Sequence, residues 1–157
     1  MASVQLTSER IELITKSWAL VKTDLRGNGV NFFIKFFGVH PTYQDMFPTL
    51  RNLTKDELRT SSKLRAHASV VMNNIDALIG NLTDAECVEE IILKIVRTHA
   101  PRGVKQQHFQ NLFTVIVDFL SEALGEAFNQ PTRDAWITAA TVIIYIIQHL
   151  PENLDQI

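Results

Sequence analysis

Cysteine is almost missing from this chain of 157 residues. Cys87 stands alone, so no internal disulfide can form and no all-cysteine zinc site is available. Proline and glycine are scarce too, at five and six residues, which suits a chain spent on long regular elements. Neither sign of charge dominates: fifteen Lys and Arg face seventeen Asp and Glu, for a net charge of -2. That balance offers no electrostatic footprint for nucleic acid or an anionic membrane, and neither is expected as a partner. The longest apolar run, Ala135 to Ile147, is interrupted by Thr138 and Thr141. It falls short of the roughly 20 residues that span a bilayer. Met1-Ala2-Ser3-Val4-Gln5 lacks a basic region leading into an apolar stretch, and Ala2 replaces the glycine that N-myristoylation requires. A cytoplasmic protein is expected.

What is present is a globular composition, 46% hydrophobic and 20% charged, in enough chain for one domain. Apolar residues recur with helical period almost throughout. Ile11, Ile14, Trp18, Val21 and Leu25 form one stripe, with Thr7 as its N-cap and Glu9 in the first turn. Gly27-Asn28-Gly29 is expected to break or bend the chain. A second helix carries Val30, Phe33, Phe36 and Phe37 and stops near His40-Pro41, since proline cannot continue a helix. Residues 41–60 read as short turns. A long helix follows with Leu64, His67, Ala68, Val71, Ile75 and Leu78 on one face, ending at Gly80-Asn81. Thr83 or Asp84 caps the next, which bears Val88, Ile92, Ile95 and His99 and ends at Pro101-Arg102-Gly103. A helix from about Lys105 to Phe128 and a last one holding Trp136, Ala139, Ile143, Ile146 and Ile147 complete the set. No alternating strand pattern, repeat or linker interrupts them. The spacing predicts an all-α domain of six to eight helices over residues 1–157, with its helical core at about 8–150.

Catalytic signatures are largely missing: no phosphate-binding glycine loop, no nucleophile elbow, no histidine pair at i, i+4. Cys87 reads as a small, partly buried residue. The informative residues are His67 and His99, each on the apolar stripe of its helix. The two helices are joined by a short turn near Gly80 to Thr83. From its middle His67 lies about 14 residues back and His99 about 17 on, or roughly 21 and 26 Å along the axes. Similar offsets let the two rings meet across the gap. Either could be a core or boundary imidazole. Together they could ligate a metal held in a flat apolar cofactor, for which haem iron is the natural candidate.

The pattern around them resembles the globin family over almost the whole chain. Trp18 stands where globins keep a first-helix tryptophan, and Phe33-Ile34-Lys35-Phe36-Phe37 before His40-Pro41 looks like the second helix and its proline corner. Phe47, six residues on, matches the phenylalanine that stacks on the haem. Leu64 to Leu78 looks like the distal helix, and Arg97 to Lys105 like the proximal end. The Gly103-Val104-Lys105 that follows His99 also occurs in neuroglobins. Thr132 to Trp136 is similar to the start of the last helix in neuroglobins and some invertebrate haemoglobins.

The resemblance implies a globin fold around haem b (iron protoporphyrin IX). It implies His99 as iron ligand, its other ring nitrogen fixed by the Ile95 carbonyl or the Thr98 hydroxyl. It implies His67 as distal histidine, donating a hydrogen bond to O2 or itself ligating iron. Phe33 would narrow the distal pocket, Phe47 clamp the porphyrin edge, and Val71 and Val104 line the cofactor. Val70 occupies a position where many globins place a cation for the haem carboxylates, leaving Arg102 or Lys63 to serve. The implied function is reversible binding of O2, and of CO and NO, for storage or transport, without enzymatic turnover. The alternative is a redox or sensing globin acting on NO or nitrite. His40, His108 and His149 read as surface or boundary residues. The surplus of apolar residues among Ile91, Ile92, Leu93, Ile95 and Val96 fits a homodimer or larger homo-oligomer, or else haem contact and packing on a neighbouring helix.

Overall fold

The chain folds locally wherever a polar cap meets an apolar stripe. A computed structural model describes residues 5–150, which hold eight α-helices, two single-turn 3-10 helices and no strand. The expectations for the N-terminal Met1 to Val4, and the last residues of the expected 1–157 domain, lie outside the described residues. Helix α1, Ser8–Lys22, starts at Thr7, whose hydroxyl accepts from the Arg10 amide, and buries Ile14, Trp18 and Val21. It ends sooner than its stripe suggested, because Leu25 already opens α2, Leu25–Val39.

The Gly27-Asn28-Gly29 break does not occur: all three residues are helical, inside the first turns of α2. The chain turns at Thr23-Asp24 instead, where the Asp24 carboxylate accepts from the Gly27 amide at 3.1 Å. Asn28 donates from its side chain to the Val21 carbonyl at 3.0 Å, occupying an acceptor at the open end of α1. Gly29 serves packing. A Cβ there would lie 2.7 Å from Met72 Cγ and 3.2 Å from Ala68 Cβ, both on α5, Ser62–Gly80.

Residues 41–60, expected as turns, contain two short helices. Pro41 opens α3, Pro41–Gln44, directly after α2 ends. A capping box starts α4, Lys55–Thr60: Thr54 Oγ1 accepts from the Glu57 amide, and the Glu57 carboxylate accepts from the Thr54 amide at 2.7 Å. Between them, Gln44 donates to the carbonyls of Leu50 and Leu53 and ties the loop down.

Ser61 caps α5, and Asp84, rather than Thr83, caps α6, Ala85–His99. The 3-10 turn Ala100–Arg102 follows and closes at Gly103, whose φ of 78° is left-handed. Helix α7, Gln106–Leu124, ends short of Phe128 because Gly125 takes a φ of 55°. Asn129 then caps α8, Gln130–Gln148.

Two apolar clusters hold these helices together. The larger joins α1, α2, α5, α7 and α8, and the close crossing of α2 on α5 is its most extensive contact. Buried indoles are paired within it: Trp136 donates to Ser17 and Trp18 to Asp76, each at 2.9 Å. The smaller cluster lays Val88 and Ile92 of α6 against Ile143 of α8, with Ile91, Ile95, Val96, Ile146 and Ile147 around them. Ile92 and Leu93 are buried, and Ile91, Ile95 and Val96 half-buried. Part of the apolar surplus of α6 thus packs on α8 within the chain. No helix among the described residues is long and apolar enough to cross a membrane.

Gly29→Val should lower stability by about 1–3 kcal/mol through overpacking against α5. Gly38→Ala, where a Cβ would meet nothing, should raise it by about 0.5–1 kcal/mol. Urea unfolding of both variants checks the pair, and an unchanged midpoint for Gly29→Val would contradict the packing role.

Candidate functional site

The face of α2 that crosses α5 brings aromatic rings to His67. Phe33 is almost fully buried, and its ring centroid lies 5.0 Å from that of His67 in an edge arrangement. Phe47, from the segment after α3, approaches the same imidazole at 4.8 Å and Phe33 at 6.3 Å. Three residues far apart in sequence thus form one aromatic wall. Val71, one turn after His67, is half-buried and packs on the main core. Among the described residues no hydrogen bond reaches either ring nitrogen of His67. Burial pushes its pKa down to about 4, and the charges of His99 and Arg102 add to the shift. At neutral pH the ring is uncharged, able to donate through one nitrogen and to accept or ligate through the other.

His99 is held in a different way. It closes α6, and its Nδ1 lies 2.6 Å from the carbonyl oxygen of Ile95, one turn earlier. A carbonyl only accepts, so Nδ1 carries a proton, and in the neutral imidazole it is Nε2 that has the free lone pair. Thr98 Oγ1 donates to the same carbonyl at 2.9 Å and sits 3.3 Å from Nδ1. Of the two expected partners, the carbonyl makes the short contact and the hydroxyl supports it. Phe109 sets its ring against the imidazole with centroids 5.6 Å apart. The Val104 amide donates to the His99 carbonyl at 3.4 Å, which fixes the turn after the histidine.

The structure therefore brings Phe33, Phe47 and His67 together on one wall and Ile95, His99 and Val104 on the other. His99 is near enough to His67 for its charge to lower the His67 pKa. Phe109 was missed by sequence reasoning, since nothing in the stripe of α7 marks which of its phenylalanines reaches α6. The remaining histidines lie elsewhere. His40 stacks on Tyr43 at 4.7 Å, His108 meets the same ring edge-on at 4.9 Å, and His149 lies tilted against Tyr145 at the end of α8. An apolar cavity of about 20 Å³ between Ile14, Ile75, Phe113 and Trp136 is likewise separate from the two histidines.

No group of three or more His, Cys, Asp or Glu side chains that could cage a metal occurs among the described residues. Two imidazoles are too few for a protein-only tetrahedral site. They do fit iron that brings its own macrocycle and needs one or two axial ligands, and an aromatic wall fits the macrocycle's face.

Sequence comparison agrees with that chemistry. The family model Globin matches residues 30–147. The chain belongs to the globin family. This globin is 30% identical to a globin of Nerita albicilla over 142 residues, covering 90% of each chain. It is 30% identical to the neuroglobin of Dissostichus mawsoni over 142 residues, 89% of each, and 32% identical to cytoglobin-2 of Danio rerio over 133 residues, 83% of this chain and 74% of the other. The fold is the expected all-α one, and the family brings haem as cofactor.

The buried neutral state of His67 has a measurable cost in acid. An unfolded histidine titrates near 6.5 and this one near 4. Between those values the unfolded chain binds a proton that the folded chain refuses, so stability falls as pH drops and is fully present above about 6.5. His67→Leu should flatten that acid loss in the haem-free protein. Thermal unfolding of both proteins at pH 7 and pH 4.5 checks it, and equal losses would contradict the assigned burial.

Proposed function

We propose that this globin, taken as one domain over residues 1–157, holds haem b through His99 and binds O2 reversibly beside His67, for storage or transport in the cytoplasm. The observation that carries the reading is the short contact between His99 Nδ1 and the Ile95 carbonyl, which leaves Nε2 oriented as a ligand. Ferrous haem supplies reversible affinity for O2, CO and NO. The residues of the chain supply the rest. Phe33 and Phe47 exclude water and offer their rings to the porphyrin, and Val71, Ile95 and Val104 complete an apolar surround. His67, kept neutral by burial, donates one hydrogen bond to the ligand that acquires the most negative charge, which favours O2 over CO. A lone cysteine fits a reducing compartment.

A second reading has His67 itself as the sixth ligand, serving redox or sensing chemistry on NO or nitrite. It is favoured by the same lack of hydrogen-bond partners on the His67 ring and by the likeness to proteins named neuroglobin and cytoglobin. The carrier reading is preferred because the Phe33 and Phe47 rings hold His67 on its own wall.

Two substitutions test these roles. His99→Ala should lose stable haem binding, followed as the Soret absorbance that remains after gel filtration; full retention with an unchanged spectrum would refute the assignment. His67→Leu should release O2 about tenfold to a hundredfold faster, as expected from losing a hydrogen bond worth about 1.5–3 kcal/mol. Stopped-flow displacement by CO measures the rate, and an unchanged value would count against direct contact.

A further inference from the structure

Among the described residues, the long helices open on a side chain that caps them, with one exception. Thr7, Asp24, Ser61, Asp84 and Asn129 each accept from an amide of the first turn that follows. The exception is α7. Its N-cap, Lys105, makes no side-chain cap bond, and its first turn holds no acidic residue. His108 closes this end instead, through an Nδ1 that accepts from the Lys105 amide at 2.8 Å. That is the N3 place of a capping box, where Glu or Gln ordinarily reaches back to the N-cap amide. Gln does not titrate and Glu does so well below neutrality, whereas an imidazole changes charge between about pH 5 and 8.

The geometry decides what an added proton does. A backbone N–H only donates, so Nδ1 of His108 offers its lone pair and the ring proton sits on Nε2. A second proton has only Nδ1 to bind. It displaces the Lys105 amide, leaves that donor without its partner and puts positive charge at the positive end of α7. Nothing facing the ring offsets that charge. From α3 it meets the Tyr43 phenol edge-on at 4.9 Å, and His40, the C-cap of α2, stacks on the same phenol. Lys105 beside it is an exposed cation, and Asn111, one turn on, is neutral and donates to the Tyr43 hydroxyl at 2.6 Å. Among the described residues no Asp or Glu lies within ion-pair distance of His108. The same first turn carries Phe109, whose ring rests on His99 with centroids 5.6 Å apart. The start of α7 thus ties α3 to the end of α6.

We propose that His108 is a proton-sensitive cap on α7: in acid it gives up the Lys105 amide, the first turn of the helix loosens, and Phe109 leaves the ring of His99. The proposal does not rest on the haem reading; with iron on His99, acid would reach that ligand through Phe109. Amide hydrogen exchange and ring NOEs test it at pH 7.5 and 5.5, by NMR on the full-length protein kept under CO so that any haem iron is diamagnetic. After correction for intrinsic exchange, protection of the Phe109 to Leu112 amides should fall about fivefold on acidification of the wild type, the size of a lost cap. The NOE between the Phe109 and His99 rings should weaken with it. His108→Gln keeps an acceptor at N3 but does not titrate, and should hold both signals at pH 5.5 as at 7.5. His40→Gln should follow the wild type.

Unchanged protection in the wild type at pH 5.5 would overturn the proposal. So would an equal fall in His108→Gln, which would place the titration in another group, or a fall that His40→Gln alone abolishes. A fall in protection with an unchanged ring NOE would overturn the release of Phe109.

Discussion

The rest of the structure depends on how closely α2 crosses α5. Gly29 presents no side chain to Met72 and Ala68, so the two backbones approach within a distance that a Cβ would forbid. One turn further along α2, on the same face, Phe33 then reaches the ring of His67, which neighbours Ala68 in sequence. The crossing therefore does two things at once. It buries the apolar faces of both helices, and it sets the depth at which the His67 imidazole sits. That depth keeps the ring out of water and, with the charges of His99 and Arg102 nearby, keeps it unprotonated at neutral pH.

The two walls of the cleft solve opposite problems. On α6, in the proposed role of iron ligand, His99 has a carbonyl acceptor one turn back, helped by the Thr98 hydroxyl, that fixes its tautomer and its rotation. On α5, in its proposed role beside a small ligand, His67 is held by aromatic edges and has no polar partner among the described residues. A pair of rings treated identically would serve neither purpose. Thr98 also braces the turn after His99, since its hydroxyl donates to the Ile95 carbonyl and its own carbonyl accepts from Arg102.

Much of this was legible in the sequence because its signals are local. The N-cap at Thr7, the stop at His40-Pro41 and the end of α5 at Gly80-Asn81 rest on backbone chemistry that tertiary contacts do not override. The position of His67 and His99 on apolar stripes was likewise readable from helical period. Gly27-Asn28-Gly29 misled because glycine costs a helix about 1 kcal/mol per residue, a local preference that the cap at Asp24 and the packing of Gly29 outweigh. The capping box Thr54-Lys55-Asp56-Glu57 was readable in principle but lies in a segment too short and polar to show a stripe. Gly125, with its left-handed φ, ends α7 although apolar residues continue to Phe128. The contact of Phe109 with His99 depends on how α7 lies against α6, which no spacing within either helix encodes.

The most direct test of the account is the absorption spectrum of the purified chain loaded with haem b, ferric and then reduced with dithionite under argon. A cleft with His99 as ligand and His67 held on its own wall predicts a Soret band and, on reduction, one broad visible band of five-coordinate iron. Two sharp visible bands would contradict it by placing His67 on the iron, and no Soret band after haem addition would contradict the haem site altogether.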